Sequence, residues 1–114
     1  MTRHDDSVRL RHMLEHVREA IRLAEEKTRD DLDSDRVLEL ALTRLVEIVG
    51  EAAARVSKPT QERYSDIPWP EIIGLRNRLV HGYDAVDLDI LWTIVQDDLP
   101  PLVDSLENIV DENA

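Results

Sequence analysis

Two long segments in which apolar residues recur in alternating steps of three and four commit this chain to packed helices. In the first, from Ser7 to about Arg29, the repeat is carried by Leu10, Met13 with Leu14, Val17, Ala20 with Ile21, and Ala24, while Arg, Glu and Lys fill the positions between. A 3.6-residue period gathers these side chains into one stripe of an amphipathic helix. Asp5, Asp6 and Ser7 stand just ahead of it, and their short side-chain oxygens suit the free N–H groups of a first helical turn. An Asp-rich break from Asp30 to Asp35 leads into the second segment, with Leu38, Ala41 and Leu42, Leu45, Ile48 and Val49, Ala52 and Val56 on one face. That stripe is wider, which predicts a more deeply buried helix.

Between Ser57 and Pro70 the periodicity disappears, and Pro59, Pro68 and Pro70 punctuate the chain. The segment reads as an ordered crossover loop, with Trp69 as its anchor. Pro70 suits the first turn of a shorter third helix carrying Ile72, Ile73, Leu75, Leu79 and Val80, with Gly82 as its left-handed terminator. A fourth helix begins near Asp87, a good N-cap, and runs through Leu88, Leu91, Ile94, Val95, Leu99, Leu102, Val103, Leu106, Ile109 and Val110. Pro100 and Pro101 lie inside it and predict a kink or a split. No two-residue alternation competes and no internal repeat is visible. The expected architecture is an all-α antiparallel bundle of four to five helices, formed as one domain over residues 1–114.

Hydrophobic residues make up 42% of the chain but aromatic ones only 4%, so the core has to be aliphatic. The formal net charge is -11, which opposes non-specific adhesion to nucleic acid. Residues 58–81 depart from that balance, setting Lys58, Arg63, Arg76 and Arg78 against Glu62, Asp66 and Glu71 for a local +1. A polyanion is expected to meet the chain there. Cysteine is absent and no N-terminal apolar run resembles a signal peptide, which points to a reducing cytoplasm. Uncharged stretches are far shorter than the roughly 20 residues of a membrane span.

The stretch from Arg76 to Tyr83, Arg-Asn-Arg-Leu-Val-His-Gly-Tyr, holds chemistry beyond helix-building. It combines a permanent cation, an amide, an imidazole and a phenol where helical periodicity is about to stop. On a helix Arg76 and His81 would lie about 140° apart, so they converge only if the helix ends between them or a second copy of the chain contributes. An imidazole titrating near neutrality suits a general acid or base, and a guanidinium presents a planar fork to phosphate oxygens. Arg with His, without a carboxylate cluster to hold a metal, is a minimal set for RNA phosphodiester chemistry. The alternative from spacing alone is that Arg76 pairs with a carboxylate of the first helix and His81 caps a helix end.

The pattern Arg-x4-His-x-Tyr, met by Arg76, His81 and Tyr83 with Asn77 after the Arg, resembles the signature of HEPN-domain ribonucleases. Its surroundings, Asp66-Ile-Pro-Trp-Pro-Glu-Ile-Ile-Gly-Leu-Arg-Asn-Arg-Leu-Val-His-Gly-Tyr83, are similar to the HepT toxin branch. So are Val46-Glu-Ile-Val-Gly-Glu-Ala-Ala53, Val86-Asp-Leu-Asp-Ile-Leu-Trp92 and Asp97-Asp-Leu-Pro100. The likeness covers nearly the whole chain. It implies a HEPN-type helical homodimer whose two motifs face one another across the interface, acting as a metal-independent endoribonuclease toxin of a type VII-like toxin–antitoxin pair. The implied antitoxin is a minimal nucleotidyltransferase of the MntA kind that transfers AMP from ATP to the motif tyrosine, and larger assemblies with it are compatible with the family. By that resemblance Arg76 and His81 are catalytic, Asn77 and Arg78 supporting, and Tyr83 the AMPylated residue, with RNA as substrate and neither metal nor other cofactor.

Other candidates are weaker. His12 and His16 have the i, i+4 spacing of a metal pair, but spacing indicates no third ligand. The serines lack a Gly-x-Ser-x-Gly context, and Gly50, Gly74 and Gly82 are too scattered for a phosphate-binding loop. Glu47 and Glu51 are placed to bridge Arg76 or Arg78, either as structure or in support of the site. Trp69 and Trp92 read as core or interface anchors more than as stacking platforms. Two further functional classes stay open beside the ribonuclease: a catalytically silent HEPN module that serves as a nucleotidyltransferase substrate, and a dimeric helical interaction module.

Overall fold

A computed structural model of the chain describes residues 4–80 and 85–112. Among these the secondary structure is helical, apart from a single antiparallel bridge between Val80 and Val86. The frame consists of α1 (His4–Ala24), α3 (Arg36–Ala54) and the joined run of α7 (Leu88–Thr93), a π-helical turn (Ile94–Asp98) and α8 (Leu99–Glu112). Shorter segments connect it: α2 (Asp31–Ser34), α4 (Lys58–Arg63), α5 (Trp69–Ile73) and α6 (Leu75–Leu79). The all-α bundle expected from periodicity is the fold.

α1 packs against both α3 and α8, and the expected stripes are the buried ones. Leu10, Met13, Val17 and Ala20 of α1 meet Leu42, Val46 and Val49 of α3 and Leu99, Leu102 and Leu106 of α8 in one core. Its side chains are almost all aliphatic, Trp69 being the buried aromatic ring. The indole Nε1 of Trp69 donates to the Tyr64 carbonyl at 3.1 Å, which fixes the entrance to α5 as expected of an anchor. Trp92 is half-buried against the same core.

Several boundaries differ from the sequence expectation. α1 begins at His4 and ends at Ala24 instead of near Arg29, because Glu26 adopts a left-handed backbone (φ 61) with no glycine to signal it. Asp6 is therefore not the cap of α1. It is 2% exposed, and its carboxylate accepts the Ser57 N–H at 2.9 Å and the Ser57 and Thr60 hydroxyls at 2.6 Å each. These bonds place a buried anion at the start of α4, where helical N–H groups favour negative charge.

The expected loop between Ser57 and Pro70 contains α4, with Pro59 in its first turn, where a missing N–H is tolerated. Gln61 is buried and its amide donates to the Val56 carbonyl at 3.0 Å, satisfying the end of the preceding helix. The expected third helix is split at Gly74 into α5 and α6. Asp35 and Asp87 cap α3 and α7, accepting from Leu38 N–H and Ile90 N–H at 3.0 Å each. The interruption predicted at Pro100 and Pro101 takes the form of the π turn just before them. There the Leu99 N–H reaches back to Ile94 O, and the prolines then occupy the first turn of α8.

α3 and α5 approach backbone to backbone. A Cβ added at Gly50 would sit 3.1 Å from the Ile72 carbonyl oxygen, so glycine sets how closely α5 lies on α3. Arg29 holds the turn after α1 to α7 through Asp89 at 2.5 Å, and to α2 through Asp33 at 3.2 Å. The hydrogen bond that Arg29 donates to Asp89, with the one it donates to Asp33, raises the pKa of this guanidinium. No helix among the described residues is long and apolar enough to cross a membrane.

Candidate active site

α6 is a single short turn whose orientation is fixed by two leucines. Leu75 and Leu79, four residues apart, are 1% and 0% exposed and face the core, so Arg76, Asn77 and Arg78 between them all face outward. The helix packs against α3 on one side and α7 on the other. Consecutive residues of a helix are turned by about 100°, so Arg76 and Arg78 project toward different neighbours.

Arg76 leans on α3. Its Nε is 3.3 Å from Glu47 Oε2, the guanidinium side being 67% exposed and the carboxylate 23%. Glu47 also faces Arg44 at 3.9 Å, and Arg44 reaches Glu51 at 3.3 Å. The result is a ladder of alternating charge along the outside of α3 with Arg76 at one end. The bridge foreseen between Glu47 and Arg76 is present, whereas the alternative of a partner on the first helix is not. Glu51 bonds Arg44 in place of either motif arginine. The mutual attraction of such half-exposed pairs is modest, so Arg76 is oriented by Glu47 and remains accessible.

Arg78 turns the other way and pairs with Asp98 of the π turn at 2.7 Å. It stands at the rim of a separate cleft floored by Pro68, Ile72, Leu75 and Pro101. Asn77 is exposed between the two arginines. The structure thus does not bring Arg78 onto the same side as Arg76.

The helix ends before the motif histidine. α6 stops at Leu79, Val80 is extended (φ -77, ψ 127), and its N–H closes the last turn onto Arg76 O at 3.0 Å. Val80 then pairs with Val86, and the Asp87 N–H donates to Leu79 O at 2.9 Å, so the chain is tied together on both sides of the motif's second half. His81, Gly82 and Tyr83 lie outside the described residues, and with them the expected terminator role of Gly82. The condition set by helical geometry, an end between Arg76 and His81, is met.

His12 and His16 lie on α1, their rings edge-on at 6.4 Å, and His16 Nδ1 is 2.6 Å from the His12 carbonyl oxygen. Among the described residues no group of three or more His, Cys, Asp or Glu side chains could hold a metal ion. Two residues tied to the motif arginines were not foreseen: Arg44, which shares Glu47 with Arg76, and Asp98, which pairs with Arg78. The first was legible as a cation three residues before Glu47 and seven before Glu51. The second required knowing that the π turn packs beside α6.

The chain matches the family described as Ribonuclease HepT-like over residues 13–109. It is 36% identical to the probable ribonuclease HepT of Thermococcus cleftensis, over 84% of this chain and 91% of that protein. It is 30% identical to a Methanocaldococcus jannaschii protein provisionally named an RNase, over 94% of this chain and 98% of the other. A further protein of that organism, named as a gamma-glutamylcyclotransferase and provisionally as an RNase, is 34% identical over 96% of this chain, which spans only 50% of its length. No solved structure matches.

Proposed function

The chain belongs to the HepT-like ribonuclease family, and from that premise we propose that it is a single-domain, metal-independent endoribonuclease acting in the cytoplasm. The observation that carries this reading is the presentation of Arg76: an oriented, exposed guanidinium on a helix that stops before His81. In the proposed reaction an imidazole takes the proton of a ribose 2′-OH as that oxygen attacks the adjacent phosphorus. The P–O5′ bond breaks, the leaving 5′-oxygen takes a proton, and a 2′,3′-cyclic phosphate remains. Arg76 balances the charge that builds on the non-bridging oxygens.

One imidazole cannot be base and acid in the same step, so a second copy of the chain supplies the other. Exposed apolar side chains support a homodimer through this face: Val37 (77%) and Leu40 (49%) on α3, and Val80 (41%) at the end of α6. Asn77 is a supporting polar residue on the same short helix, and Arg78, tied to Asp98, supports the site indirectly by holding α6 to the π turn.

Tyr83 is the proposed point of control. A nucleotidyltransferase antitoxin placing AMP on its phenol adds bulk and negative phosphate to the motif, which repels RNA and offers Arg76 or Arg78 an internal anion to grip. Membership in a toxin–antitoxin pair follows from this reading.

The test is cleavage of RNA by purified protein in EDTA, with the products' termini identified. Arg76→Ala and His81→Ala are each expected to lower cleavage by about 10²–10³-fold or more while helicity is retained. Activity lost entirely in EDTA, or full activity in His81→Ala, overturns the assignment. No cleavage by wild type, together with AMP transfer that disappears in Tyr83→Phe, selects the catalytically silent module in its place.

A further inference from the structure

Most arginines on this acidic surface are already neutralised. Arg18 pairs with Glu107, Arg29 with Asp33 and Asp89, Arg36 with Glu39, Arg63 with Glu112, and Arg78 with Asp98. Four arginines have no ion pair among the described residues, Arg9, Arg11, Arg22 and Arg55; two of them, Arg9 of α1 and Arg55 at the C-cap of α3, line the same groove, with His12 beside them. The groove runs between α1 and the C-terminal half of α3, over Ile48 and Ala52. Its one carboxylate, Glu51, is engaged by Arg44 at 3.3 Å. Of the two acids at the start of α1, Asp6 is buried and turned to Ser57 and Thr60, and Asp5 is exposed one turn before Arg9.

We propose that this groove of Arg9, His12 and Arg55 is a second phosphate-binding site, gripping the backbone of the RNA strand as it runs away from Arg76 along α3. The inference rests on the ribonuclease reading and adds where the substrate lies. The charge ladder from Arg76 through Glu47, Arg44 and Glu51 leads directly into the groove. Arg55 follows Glu47 by eight residues, about 12 Å of helix at 1.5 Å each. That spans about three to four nucleotides of stacked strand at 3.4 Å per step. Two unneutralised guanidiniums from different helices suit consecutive phosphates, His12 adds a ring N–H donor, and the apolar floor accepts a sugar edge. On a particle of charge -11, such a gap in the acidic surface decides where a polyanion can lie.

The experiment uses the full chain and a fluorescein-labelled 12-nucleotide RNA with 2′-O-methyl riboses, which cannot be cleaved through the 2′-oxygen. Anisotropy is followed across a salt series for wild type, for Arg9→Ala/Arg55→Ala, and for Arg22→Ala/Lys27→Ala, which removes two exposed cations, one in the last turn of α1 and one just beyond it. The groove variant is expected to bind more weakly and to lose about 1.4 from the slope of log K against log salt, about 0.7 per phosphate contact. The control pair is expected to match wild type. With unmodified RNA, the groove variant should raise KM for the 12-mer at unchanged kcat and leave a dinucleotide substrate untouched.

Equal binding by wild type and the groove variant overturns the proposal, as does an equal loss in the control pair. Groove-dependent binding by a wild type that cleaves nothing removes the ribonuclease reading and leaves the groove standing. Unchanged RNA binding with impaired binding of an acidic protein reassigns the groove to protein docking and also overturns it.

Discussion

α1 and α3 on one side, and the short segments α4 to α6 on the other, are held in place by different forces. The long helices are fixed by apolar burial: Met13, Val17, Ala20, Leu42, Val46 and Val49 are all fully buried, and their outward positions are filled by charges that alternate freely. The short segments are too short to build a stripe: each buries only two side chains, such as Leu75 and Leu79 of α6, and depends besides on specific contacts, such as Asp6 at the start of α4, Gln61 on the α3 carbonyls, the glycine contact at Gly50, and the Glu47 bridge to Arg76. The exposed side chains proposed to act on RNA sit on the second kind of structure. Where packing leaves a position undetermined, chemistry can choose its residue.

The largest test of the contrast is on the buried side. Leu42→Ala removes a side chain with no exposure from the α1–α3 contact and is expected to cost about 2–5 kcal/mol in chemical denaturation, the range for a leucine cavity in a packed core. A loss under 1 kcal/mol would mean that the long helices are not held by burial, and the comparison would fail on that side.

Asp6 probes the other kind of support. Replacing it by Ala leaves the Ser57 N–H and the Ser57 and Thr60 hydroxyls without their anion, and is expected to cost about 1.5–3 kcal/mol. Asp6→Asn keeps shape without charge and should recover only part of the loss. Full recovery would show that charge at the start of α4 is unimportant.

The same division governs what could be read from the residues alone. The stripes of α1, α3 and α8 were legible because burial writes a 3.6-residue period into the sequence. α4 was not, since a six-residue helix is too short to show a period and its prolines read as loop. Asp6 looked like a local cap because its partners lie some fifty residues away, at Ser57 and Thr60. At the site, Glu47 and Glu51 could be named together as partners for Arg76 or Arg78 from helical spacing and charge, but not which acid meets which arginine. Asp98 could not, because its approach to Arg78 depends on the π turn, which no residue pattern announces.

The smallest expected effect on stability is also the sharpest test of how the two regions meet. Glu47 belongs to the long, well-packed α3, while its carboxylate lies 3.3 Å from Arg76 on the short α6. Half-exposed pairs of this kind contribute about 0–1 kcal/mol, so Glu47→Gln should leave the midpoint of unfolding almost unchanged. Its effect on catalysis is expected to be a split. Without the carboxylate Arg76 no longer has a competing anion, so RNA binds more tightly and KM falls; the guanidinium also loses its orientation, so kcat falls several-fold. Glu47→Asp, which keeps the charge on a shorter arm, should restore KM more fully than kcat. A purely structural role for Glu47 would instead lower stability and activity together with KM unmoved. Unchanged kcat and KM in Glu47→Gln would show that α3 does not position Arg76, and that the long-helix frame supports the site only by carrying α6.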